Sequence, residues 1–201
     1  MSKIKHRDHK RARQTKNINY KIVIICEDTK NAVKYFKALL TDWNLWKVSV
    51  VIDGSSDSAP ISVYNYAVNN YKHIYTKKGK RVYCLIDKDD HPTFLSTLAK
   101  ENEIDNIYIL ESVPCFELWI SLHFQDSFTY DNRHMLYKQL KDNHQIDKDE
   151  DDYGQLYNER LKNKTDQALK NSKALLSINR DTHPAYTKIH VLIDILKNMK
   201  D

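Results

Sequence analysis

Cysteine is scarce in this 201-residue chain: Cys26, Cys84 and Cys115 are all there is, an odd number without framework spacing. That excludes a disulfide scaffold and suits a reducing compartment. No apolar run approaches the ~18 residues a membrane span needs, and the N-terminus has no apolar stretch of the secretory kind. A soluble, cytoplasmic protein with no membrane contact is the expectation. No nucleotide-binding loop is present, so any use of ATP would fall to a partner. There is no internal repeat and no low-complexity linker. The acids at Asp147, Asp149, Glu150, Asp151 and Asp152 lack the alternation, central glycine and late glutamate of an EF-hand, and they read as a solvated loop.

The apolar share, 41%, is enough for a real core. The length suits one α/β domain with extra helices. Charge is unevenly spread. Residues 1–16 hold seven basic side chains against Asp8 alone, a net +6, whereas the whole chain carries +5. Subtracting one from the other leaves about −1 for the body. Two readings of this arm stand: a phosphate-backbone contact through residues such as Arg7, Arg11 and Arg13, or a solubilising flexible tail.

Apolar runs at 20–26, 46–52, 81–87 and 106–110 predict four strands, and helices are expected between them at 30–40, 60–75 and 92–100. Strand–helix alternation with connections of this length predicts a mostly parallel sheet with helices on both faces. A short apolar helix is expected over 115–124, then helical pieces near 133–142, 153–162, 164–176 and 186–199.

The organising stretch is Arg81-Val82-Tyr83-Cys84-Leu85-Ile86-Asp87-Lys88-Asp89-Asp90-His91. A strand without polar alternation is buried on both faces, and ligand sites in such sheets lie at the carboxyl ends of strands. Asp87 falls at that end. In extended backbone Asp89 would point the same way, and two convergent carboxylates repel unless a cation sits between them. A divalent metal site, Mg²⁺ or Mn²⁺, is therefore expected. The alternative is a polar turn, with Asp90 capping the next helix.

Glu27 occupies a strand-to-helix corner at the same level. It reads as a second ligand source or general base, or else as an acid favoured by the helix dipole. His91 suits acid–base assistance or a simple pairing. Glu117, on an otherwise apolar helix, is either paired or functional. Lys88 points away from the acids and is placed to reach a phosphate or to balance local charge. Cys115 with His123 lacks an evident orienting partner for nucleophilic work.

Four blocks together resemble a known family. They are Arg7…Arg11-Ala12-Arg13; Cys26-Glu27-Asp28 with Tyr35-Phe36; Asp87-Lys88-Asp89-Asp90-His91; and Ser112-Val113-Pro114-Cys115-Phe116-Glu117-Leu118-Trp119 with Leu122-His123-Phe124. A weaker echo lies at Pro184, Thr187 and His190. The chain resembles the RloB family, also called AbiLii-like. Two departures stand out: Asp28 replaces a glycine, and Asn31-Ala32 replaces a Thr-Glu pair.

The resemblance implies a TOPRIM-like α/β domain over 19–126, after the basic arm (1–18) and before a helical C-terminal extension over 127–201. It also implies Mg²⁺-dependent phosphodiester chemistry with Glu27, Asp87 and Asp89 as ligands, and an ATPase encoded nearby in a prokaryotic anti-phage setting. Nucleic acid, DNA or RNA, would be the substrate. Two rivals remain: a non-catalytic TOPRIM-fold sensor or adaptor, and an aspartyl-phosphate phosphatase using Asp87 and Asp89.

Overall fold

β1 (Ile22–Cys26), β2 (Val50–Asp53), β3 (Arg81–Asp87) and β4 (Ile107–Val113) pair in parallel, in the spatial order β2-β1-β3-β4. A two-residue strand, β5 (Tyr186–Thr187), closes the β4 edge antiparallel. This is the α/β, mostly parallel sheet expected of a TOPRIM-like fold. The computed structural model describes residues 21–27, 30–45, 50–53, 59–124, 132–178 and 184–200. Arg7, Arg11, Arg13 and Asp28 lie outside the described residues.

The central strands are apolar throughout because both their faces are covered. Ile22, Ile24 and Cys26 of β1 and Tyr83 and Leu85 of β3 enter one core. That core is filled by α1 (Asn31–Asp42), α5 (Glu117–Ser121), α6 (Arg133–His144), α7 (Tyr153–Leu156), α8 (Thr165–Ser177) and α9 (Ile189–Lys197). The alternate residues, Val23, Ile25, Val82, Cys84 and Ile86, enter a second core under α2 (Pro60–Asn70), α3 (Lys72–Tyr75) and α4 (Phe94–Leu98). Period-two geometry thus explains why the runs carry no polar residues.

Three expected boundaries move. The helix expected over 60–75 breaks at Tyr71; Asn70 turns its side-chain amide onto the Tyr66 carbonyl at 3.0 Å, a local bond that competes with helix continuation. The fourth strand runs on through Glu111 and Ser112, which sequence reading had placed beyond its end. Glu111 tolerates a strand interior because Lys188 pairs with it at 3.0 Å and the Tyr186 hydroxyl donates to it at 3.2 Å. Finally, the helix expected from 186 begins at Ile189, since Tyr186 and Thr187 pair with Val113 and Ser112 instead. The segment after α7 stays helical through a π-turn (Tyr157–Leu161) and a 3₁₀ turn (Lys162–Lys164).

Candidate active site at the carboxyl edge of the sheet

The parallel register brings the ends of β1, β3 and β4 to one edge: Cys26 lies beside Leu85, and Asp87 beside Ser112. Glu27 follows directly, and its Oε2 accepts a hydrogen bond from the Asp87 backbone N–H at 3.0 Å. Glu117, at the start of α5 four residues beyond β4, adds a third carboxylate whose charge reaches Asp87. Burial raises the pKa of Asp87 well above the usual carboxylate range. The charges of Glu117, Glu27 and, last, Asp89 add to this, opposed by a bond from the Phe116 N–H.

Glu117 is only 7% exposed and accepts from the Tyr153 hydroxyl at 3.3 Å. Burial, then the Glu117 charge, also pushes up the Cys115 thiol and the Tyr137 and Tyr153 hydroxyls, so all three stay protonated donors. Cys115 is thereby a poor nucleophile. Its supposed partner, His123, sits in the core with Nδ1 2.9 Å from the Trp119 carbonyl and Nε2 3.5 Å from the Tyr35 hydroxyl.

The alternation argument for Asp89 stops where the strand stops. β3 ends at Asp87, and Asp89 takes a left-handed conformation, φ 33°. The turn is tied to the end of β4 by Lys88 N–H to the Ser112 carbonyl and Asp89 N–H to the Pro114 carbonyl, both 2.9 Å. Asp87 faces a cavity of about 660 Å³ with Glu117 and Tyr137. Asp89, Lys88 and Asp90 instead border a smaller depression of about 100 Å³. There Asp89 pairs with Arg133 at 2.8 Å, while its other oxygen is buried without a hydrogen bond from the described residues. Lys88 is exposed. His91 turns Nδ1 toward Thr93 at the start of α4, 3.1 Å from its hydroxyl.

The acidic run at 147–152 is a loop with Asp149, Glu150 and Asp152 exposed, as expected, but it is an ordered one. Asp151 accepts from the Asp147 N–H at 2.7 Å, and Asp147 accepts from the Asp149 N–H at 3.0 Å, so the run folds on itself as a turn. The Asn31 side-chain amide donates to the Lys148 carbonyl at 2.8 Å and fixes the turn against α1. Asp152 caps α7 through the Gly154 and Gln155 N–H groups and pairs with Lys34 at 2.8 Å. Residues 149–152 thus line the Asp87–Glu117 cavity together with Lys30 and Lys34. Sequence reasoning missed this wall, Tyr137, Tyr153 and Arg133. Only the density of acids was a visible signal, because each contact joins residues far apart in the chain.

Hard carboxylate oxygens suit Mg²⁺ or Mn²⁺, and the crowding of charge around Asp87 is what a divalent cation would relieve. Donor chemistry and charge fit such an ion. The side-chain positions are less complete: among the described residues, no group of three or more His, Cys, Asp or Glu is placed to hold a metal. The Glu27 carboxylate is engaged by the Asp87 N–H, and that of Asp89 by Arg133. Also among the described residues, no helix is long and apolar enough to cross a membrane.

The model of the family described as RloB-like protein matches residues 22–196, nearly the whole chain. No curated protein and no solved structure matches it.

Proposed function

The chain belongs to the RloB-like family, and from that premise we propose that it is a metal-dependent nuclease cleaving phosphodiester bonds of nucleic acid in anti-phage defence. The observation that carries the reading is the meeting of Glu27, Asp87 and Glu117 at one sheet edge, with Asp87 under strong electrostatic pressure. Asp87 and Glu117 would hold Mg²⁺ or Mn²⁺, with Glu27 beside them and Asp89 in electrostatic reach. Such an ion, when bound, polarises a phosphoryl oxygen and acidifies water.

The chain's own groups do the rest. The Glu27 carboxylate, fixed at the Asp87 N–H, orients that corner and is placed to accept a proton. Tyr153 holds Glu117 in position by its hydroxyl. Lys88 and the basic arm supply phosphate contacts that weaken with salt. The ATPase partner rests on the family resemblance, together with the lack of a nucleotide-binding loop in this chain.

The test is cleavage of labelled DNA and RNA in Mg²⁺ by the wild type, Asp87→Asn and Glu117→Gln. Loss in both variants is expected; undiminished Mg²⁺-dependent cleavage by Asp87→Asn rejects the assignment.

A non-catalytic sensor or adaptor is the second reading, favoured by one observation. Where the family has a Thr-Glu pair, Asn31 is spent on the Lys148 carbonyl and Ala32 is buried in the core. Oligonucleotide binding without turnover in either metal would support it.

A further inference from the structure

We propose that the depression between the β3–α4 turn and the start of α6 is a phosphate subsite for the substrate strand, with Arg133, Lys88 and His134 as its ligands. This rests on the nuclease reading and specifies where that substrate is gripped.

The reasoning begins with charge. In the main cavity six acids (Asp87, Glu117, Asp149, Glu150, Asp151 and Asp152) face three lysines. A polyanion cannot be held by that wall alone.

The adjoining depression differs in kind. Arg133 and Lys88 balance Asp89 and Asp90, and its volume, about 100 Å³, is that of a small polar group rather than of an extended ligand. Val113, Pro114 and Ala185 supply apolar lining beside them.

Arg133 is the main ligand. Its partner Asp89 is 26% exposed and Arg133 itself 36% exposed, so the pair is weak and open to exchange. A guanidinium fork matches two phosphate oxygens, and its charge does not titrate away. Both sides of the depression are tied by hydrogen bonds. Asn132 caps α6 by accepting from the Met135 N–H at 3.1 Å, and the Lys88–Asp89 backbone is bonded to the end of β4. Lys88 directly follows Asp87, so a phosphate held here lies beside the strand end that carries that carboxylate.

The experiment is fluorescence anisotropy of a fluorescein-labelled single-stranded oligonucleotide with the full chain, in EDTA so that nothing is cleaved, across a salt series. The proteins are the wild type, Arg133→Gln, Lys88→Gln, their double variant, and Asp89→Asn. We expect the double variant to bind about tenfold more weakly at low salt. Its slope of log affinity against log salt should fall by about 1.4, the loss of two contacts at ~0.7 each. Asp89→Asn, which releases Arg133, should bind more tightly. Arg133→Lys, which keeps charge and fold, should fall between the wild type and Arg133→Gln.

Unchanged affinity and slope in the double variant overturns the subsite, and so does a wild type that binds no oligonucleotide. The two readings separate cleanly. If the wild type cleaves in Mg²⁺ while the variants bind normally, the subsite falls and the nuclease stands. If the variants lose binding but the wild type never cleaves, the nuclease falls and the subsite stands.

Discussion

Replacing Lys188 by Met tests how the sheet edge beside the site is held. Glu111 lies inside β4 at 2% exposure, and the Lys188 ammonium is 3.0 Å from its carboxylate. Removing one partner of a buried pair costs about 3–5 kcal/mol, because the other charge is left without compensation. Two features place this pair at the low end: Lys188 keeps about a quarter of its side chain exposed, and the Tyr186 hydroxyl still donates to Glu111. About 3 kcal/mol is therefore expected. For a chain of 150–250 residues each kcal/mol moves the melting temperature by roughly 2–4 °C, so Lys188→Met should melt about 6–12 °C lower by calorimetry. The double variant Lys188→Met with Glu111→Met should recover most of that loss, since two apolar groups leave no stranded charge. A single variant melting within about 2 °C of the wild type would refute the reasoning, as would a double variant no better than the single. The same lysine backbone bonds to Glu111 at 2.9 Å and follows β5, so loosening there should also disturb Ala185 in the proposed subsite.

Two further outcomes follow from the perturbed groups. Because Asp87 is raised in the fold, its protonated form contributes stability below the ordinary carboxylate range, and that contribution is lost as pH rises through the raised value. Metal-free Asp87→Asn should therefore melt above the wild type at neutral pH, with the gap closing as pH falls into the ordinary carboxylate range; parallel melting–pH curves would contradict this. Burial holds the His123 imidazole down at about 4 against an ordinary 6.5, so the unfolded chain takes a proton that the folded chain refuses between those values. Stability should fall by up to about 3 kcal/mol as pH drops through that window. NMR titration of the His123 ring should show no change above pH 5, and a midpoint near 6.5 would refute it.

Much of the architecture was legible along the chain, for a physical reason. Unbroken apolar runs such as Ile22–Cys26 and Val82–Ile86 can be satisfied only between two helical layers, and this dictates strands that end in polar corners at Glu27 and Asp87. The same rule predicts that Asp89 points with Asp87, but it does not reach that far. The rule holds only while the backbone is extended, and Asp89 lies beyond the strand in a left-handed turn. Glu111 misled in the opposite direction: an acid reads as a strand end until a lysine from 77 residues later is seen to pair with it.

The family, the mostly parallel sheet and the carboxylates at its edge were therefore set by local composition and by spacing along the chain. The partners of those carboxylates were decided by folding alone. Arg133 on Asp89, Tyr153 on Glu117, and the acidic turn held by Asn31 and Lys34 all join segments tens of residues apart. A charged side chain carries no mark of its partner: its energy depends on distance and burial, and both exist only once the chain has packed.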